Sequence, residues 1–235
     1  MRPKLKIMTK PVEEVEKAVD VNFTDKALLR QAFIHRSYIN ETKEPSLEHN
    51  ERLEFLGDAV LELVVTEYLY KNFSNPEGEL TNWRSSIVKG EVLAKVALEL
   101  NLGDYLLLSK GEEHSGGRTR SLILANTVEA FIGAIYLDKG YDASSDFIAK
   151  YLISLLPEII EKNLHIDPKS RLQEIVQEKH SRAPEYRVMN EAGPDHAKEF
   201  TVGVYASDKL LAKGTGSSKQ RAEQSAANEA LKLVQ

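Results

Sequence analysis

Between Leu53 and Tyr70 apolar residues recur at helical spacing, yet three acids, Glu51, Glu54 and Asp58, are set into the start of that run. Residues three and four apart share one face of an α-helix, so these carboxylates stack above one another. Like charges at that spacing destabilise an isolated helix by a few tenths of a kcal/mol per pair. Such a face is either solvated or held by a cation. The flanks are Leu53, Phe55, Leu56, Val60, Leu61 and Leu63, which leaves little of the helix for solvent. Acids wedged among core residues are rarely left unpaired. Oxygen ligands, with no cysteine and no histidine at ligand spacing, favour a hard ion such as Mg²⁺ or Mn²⁺. Both readings stay open on pattern alone.

A second apolar helix is expected over Ser121–Leu137, and it too carries polar groups inside its pattern, Asn126 and Glu129. They lie three apart and so point to one side. If this helix packs beside the first, its oxygens can close a site begun by Glu54 and Asp58. The rest of the chain up to about residue 162 also reads helical. Short helices are expected at Val12–Val19 and Lys26–Phe33, the organising helix at about 49–72, and further helices at Glu79–Val88 and Gly90–Leu100. Asn75-Pro76-Glu77-Gly78 reads as a turn, Leu102–Leu108 as a short helix or strand, and Tyr141–Glu161 as one helix. The glycine-rich run 111–118 reads as a mobile loop. It lacks the Lys-Ser/Thr ending of a phosphate-binding loop, which excludes that class of nucleotide hydrolase.

Ile166-Asp167-Pro168 marks a boundary after which the pattern changes. A helix runs from Pro168 to about Lys179. Tyr186–Asn190, Glu199–Ala206 and Lys209–Gly214 alternate like strands, and Ser217 or Ser218 caps a final alanine-rich helix, Lys219–Val234. The expected class is therefore an all-α domain, residues 10–162, followed by a small α+β domain of order α-β-β-β-α, residues 167–235. The net charge of −5 argues weakly against a nucleic-acid binder. Residues 167–235 hold 11 basic and 10 acidic side chains, however, which leaves −6 on the first part. The absence of cysteine fits a reducing, cytoplasmic compartment. No secretory signal is seen, and no apolar run reads as a membrane span.

With these residues in view the chain resembles bacterial ribonuclease III. Asn50-Glu51-Arg52-Leu53-Glu54-Phe55-Leu56-Gly57-Asp58-Ala59-Val60-Leu61 is similar to that family's signature nearly residue for residue. The tail resembles a double-stranded-RNA-binding domain through Leu172-Gln173-Glu174, Gly193-Pro194-Asp195-His196 and Gly214-Thr215-Gly216-Ser217-Ser218-Lys219. The resemblance implies a homodimeric, Mg²⁺-dependent endonuclease. It would cut double-stranded RNA to 5′-phosphate and 3′-hydroxyl ends in rRNA and mRNA processing, with Mn²⁺ as a possible substitute ion. It places metal ligands at Glu54, Asp58, Asn126 and Glu129, the catalytic weight on Asp58 and Glu129, and supporting acids at Glu51, Glu77 and Glu112. Phe55 corresponds to a residue that plugs a socket on the partner subunit. RNA contacts fall on Ser170, Gln173, Glu174 and Gln177, on His196, and on Ser218, Lys219, Gln220 and Arg221. One departure stands out: the family usually has Asp where this chain has Asn126. That substitution removes one negative charge and opens a second reading, a non-cleaving or impaired duplex-RNA binder.

Overall fold

The chain is described by a computed structural model that covers residues 10–42, 46–162, 167–194 and 198–234. It divides into two compact units, Met1–His165 and Ile166–Gln235. The first unit is helical. Its helices are α1 (Glu14–Val19), α2 (Lys26–Ala32), α3 (Arg36–Ile39), α4 (Glu51–Asn72), α5 (Glu77–Val88), α6 (Gly90–Glu99), α7 (Lys110–His114), α8 (Ser121–Lys139), α9 (Tyr141–Tyr151) and α10 (Leu156–Glu161).

Helix α8 runs through the centre of this unit. From Ile123 to Ile135 every residue is buried except Asn126 and Glu129, which are half-buried. A helix apolar on all sides belongs in a core. Length and composition alone would let α8 cross a membrane, but 61% of that apolar window is buried within its own unit. Phe131 on α8 meets Phe23, Phe33 and Phe147 at ring separations of 5.6, 5.7 and 5.4 Å. Helix α4 lies against α8 with Leu53, Val60, Leu61, Val64, Val65 and Leu69 buried. The two backbones nearly touch. A Cβ added at Gly57 would fall 1.7 Å from the Glu129 carbonyl oxygen, and one at Gly133 would fall 2.2 Å from that of Leu53. Only glycine permits such an approach.

The N-terminal helices are held by carboxylates. Asp25 caps α2 by accepting from the Ala27 and Leu28 amides. The buried Glu16 accepts from the Phe23 amide at 2.6 Å and from Lys26 Nζ at 2.6 Å. Burial pushes the Glu16 carboxyl up, but these two donors outweigh it and hold the group below its ordinary value.

Several elements differ from the sequence expectation, each for a local reason. The run 111–118 is an ordered turn rather than a mobile loop: α7 is followed by a short 3₁₀ turn, Gly117–Thr119. Arg118 fixes it, donating to the Gly103 and Leu106 carbonyls at 2.9 Å each and pairing with Glu113 at 2.7 Å. The stretch 141–161 is two helices joined by a 3₁₀ turn, Ile153–Leu155. Pro157 sits in the opening turn of the second helix, where no N–H donor is needed. Glu77 begins α5 instead of belonging to the preceding turn. The 102–108 segment is a 3₁₀ turn, Leu102–Tyr105, followed by an isolated parallel bridge from Leu107 to Ile34.

The second unit has helix α11 (Pro168–His180), strands β1 (Glu185–Ala192), β2 (Glu199–Ala206) and β3 (Lys209–Gly216), and helix α12 (Lys219–Val234). The sheet is antiparallel in the order β1-β2-β3. Val204 and Ala206 pack in one core with Leu172 and Val176 of α11 and Ala226, Ala227 and Ala230 of α12, and Val202 and Ala222 are buried as well. Small alanines let α12 lie close on the sheet. Ser207 and Asp208, both left-handed at φ 47° and 67°, make the tight β2–β3 turn.

Candidate active site and RNA interface

The α4–α8 crossing brings polar groups of both helices together. Asn126 Nδ2 donates to Glu54 Oε1 at 2.9 Å. The amide nitrogen must face the carboxylate here, because two oxygens would repel. Burial raises the Glu54 carboxyl. The Asn126 hydrogen bond pulls it back in part, and the Glu51 and Asp58 charges add to the rise. Glu129 is raised further, to about 7, by burial first and then by the charges of Asp58 and Glu54. Asp58 itself is exposed at the mouth of the group. This is negative charge in search of a counter-charge. Among the described residues, no three His, Cys, Asp or Glu side chains by themselves form a metal-holding group. The fourth member at this crossing is an amide. Three carboxylates and one amide are hard oxygen donors and suit a hard divalent cation, which would offset the burial and the repulsion that raise Glu54 and Glu129.

The acids expected to support the site are placed differently. Glu51 opens α4 and faces Arg36 at 3.3 Å and His49 at 3.8 Å. Glu112, on α7, is gripped by Arg120, whose other nitrogen donates to Ser115 Oγ at 2.9 Å. His35 lies within the fields of both Glu112 and Glu51, and burial still lowers its pKa overall. Glu77 is not gathered with them. It begins α5 beyond the far end of α4, and roughly 21 Å of helix separates Asp58 from Asn72. There it accepts from Thr81 Oγ1 at 2.9 Å and borders an open cavity of about 570 Å³ with Tyr70, Phe73, Leu80 and Arg84. Phe55, beside Glu54, points outward and is 82% exposed.

In the second unit Ser170, Gln173, Glu174 and Gln177 are all exposed. Their spacing of three, four and seven places them on one face of α11. Ser218 caps α12 by accepting from the Arg221 amide at 3.2 Å, and Arg221 Nη1 donates to Ser217 Oγ at 3.0 Å. Gln220 is exposed, and Lys219 pairs with Glu191 at 3.1 Å. His196 lies outside the described residues. Sequence reasoning missed Gly57 and Gly133 as the pair that sets the crossing. A glycine inside a helix costs about 1 kcal/mol against alanine, and that cost was the available signal.

Residues 25–156 match the family described as ribonuclease-III-like, and residues 168–234 match the double-stranded RNA binding motif. The class is thus an endoribonuclease: a helical nuclease unit joined to a double-stranded-RNA-binding module. The chain is 46% identical over 226 residues to Ribonuclease 3 of Oceanobacillus iheyensis, covering 95% of this chain and 98% of that protein. It is 47% identical over 214 residues to Ribonuclease 3 of Pelotomaculum thermopropionicum, covering 90% and 88%. Among solved structures, the nuclease domain of ribonuclease III from Campylobacter jejuni superposes with a TM-score of 0.57 at 40% identity, covering 63% of this chain and 99% of that one. That structure is described for flexibility in the region involved in dimer formation. This chain belongs to the ribonuclease III family, whose members act on double-stranded RNA and depend on a divalent metal.

Proposed function

We propose that residues 10–162 form the nuclease domain and residues 167–235 the RNA-binding domain. In this reading Glu54, Asp58, Asn126 and Glu129 hold the divalent ion, Mg²⁺ with Mn²⁺ as a substitute. The products are 5′-phosphate and 3′-hydroxyl ends, and the substrates are duplexes in rRNA and mRNA precursors of the cytoplasm. The gathering of acids from two helices around the Asn126–Glu54 hydrogen bond carries this reading.

When bound, the ion would neutralise charge at the scissile phosphate and would acidify water there. The chain's own groups prepare for that. Asn126 holds the Glu54 carboxylate in one orientation. Glu129, raised to about 7, gives up its proton to become a ligand, so occupancy is favoured above neutral pH. Exposed Asp58 faces the substrate side. Glu51 and Glu112, each tied to an arginine, border the same region. Phe55 is the anchor of a two-fold homodimer, which sets one acidic site against each RNA strand.

The test is a labelled RNA duplex incubated across Mg²⁺ and Mn²⁺ titrations. Discrete 5′-phosphorylated products are expected from the wild-type chain and none from Glu129→Ala. A wild-type protein that binds the duplex yet leaves it intact at high Mn²⁺ would refute the nuclease assignment and favour the binding-only reading.

A further inference from the structure

Lys219 opens α12, from where it can grip a duplex phosphate, and it is already engaged. Its Nζ lies 3.1 Å from Glu191 Oε1 and 5.7 Å from the centroid of the Phe200 ring. Glu191 and Phe200 are cross-strand partners on β1 and β2. Together they form a seat for the ammonium, with the carboxylate beside it and the aromatic ring nearby. The two side chains remain 58% and 39% exposed, so solvent screens the pair and a stronger anion can displace it. The neighbouring positions do little to compensate. Gln220 is neutral, and the Arg221 guanidinium is turned to Ser217.

We infer that Glu191 is an intramolecular competitor for duplex RNA: it occupies Lys219 in the free protein and sets how strongly the start of α12 grips phosphate. This rests on the reading of Lys219 as a phosphate contact. An unpaired lysine that meets a phosphate releases about 0.9 of a condensed counterion from the duplex. At Lys219 the freed carboxylate stays beside the phosphate and offsets part of that neutralisation, so the net release falls below that value. The repulsion between Glu191 and the incoming phosphate acts in the same direction. Both effects weaken the grip and flatten its dependence on salt.

The experiment measures duplex-RNA affinity of the full chain by fluorescence anisotropy over a series of salt concentrations, with EDTA present so that the RNA stays intact. The proteins are wild type, Glu191→Gln, Lys219→Gln and the double variant. Glu191→Gln is expected to tighten binding about two- to fivefold near 0.1 M salt and to steepen the log–log salt slope by up to about 0.9. Lys219→Gln is expected to change the slope less in the wild-type background than in the Glu191→Gln background, where the change approaches about 0.9. An equal slope change in both backgrounds would overturn the role of Glu191 while leaving Lys219 as a phosphate contact. If Lys219→Gln alters affinity in neither background, Lys219 is not a contact and the inference falls with that reading.

Discussion

Replacing Gly57 with alanine separates two backbones that meet without an intervening side chain. The new Cβ would lie 1.7 Å from the Glu129 carbonyl oxygen and 2.8 Å from the Gly133 nitrogen. Ordinary carbon–oxygen contact begins near about 3.3 Å, so α4 and α8 must part by roughly 1.5 Å. Backbone atoms cannot rotate away, which puts the cost at the upper end of overpacking, about 3 kcal/mol. Alanine returns about 1 kcal/mol through helix propensity, leaving a net loss of about 2 kcal/mol. In a unit of this size that corresponds to a fall of roughly 4–8 °C in melting temperature. The same displacement draws Asn126 away from Glu54, whose 2.9 Å bond does not survive it. A misplacement of about 1 Å at reacting groups costs on the order of 100-fold in rate. Circular dichroism melting and a single-turnover cleavage assay read the two effects. Gly78→Ala serves as control, since a Cβ there meets nothing within 4 Å. A Gly57→Ala protein that melts and cleaves like wild type would refute the close crossing as the basis of the site.

Two further outcomes follow from the charges at that crossing. Glu129 has its pKa raised from 4.5 to about 7 in the folded chain, so its contribution to stability is full below pH 4.5 and is lost as pH rises through 7. In EDTA, Glu129→Gln is expected to match wild type near pH 5 and to exceed it by about 1–2 kcal/mol near pH 9, after allowance for partial solvent screening; urea unfolding at several pH values checks this, and a gap that does not widen with pH contradicts it. Asn126→Asp adds a fourth carboxylate and removes the donor to Glu54. It is expected to lower metal-free stability by about 1–2 kcal/mol and to tighten Mn²⁺ binding by calorimetry about tenfold or more, and unchanged Mn²⁺ affinity would count against Asn126 as part of the site.

The two helices that matter most were legible because their signal is long and periodic. Leu53–Tyr70 and Ser121–Leu137 have long apolar stripes, and Glu54, Asp58, Asn126 and Glu129 set into them mark where solvent reaches the core. The α-β-β-β-α order was equally plain from the change of period after Pro168. What escaped was set by single side chains acting over distance. Arg118 orders a glycine-rich run by reaching the Gly103 and Leu106 carbonyls, a contact that no local composition announces. Pro157 lies inside the 141–161 helical pattern, where a proline can end one helix or open another, and only the 3₁₀ turn before it decides. The Lys219–Glu191 pair joins positions 28 residues apart and was invisible for the same reason. Glu77 is apart from the other acids within one chain because α4 carries it to the opposite end of the unit.

Helix α8 is enclosed on nearly every side from Ile123 to Ile135, and its two half-buried positions are Asn126 and Glu129. A rod so enclosed cannot roll or slide without emptying the interior around it. Any adjustment on meeting RNA therefore falls to the outer wall: the solvent-facing acids of α4, the arginine-tethered turn after α7, and rotations of side chains about a fixed axle. The amide and the acid on that axle stay still while the rest closes on them.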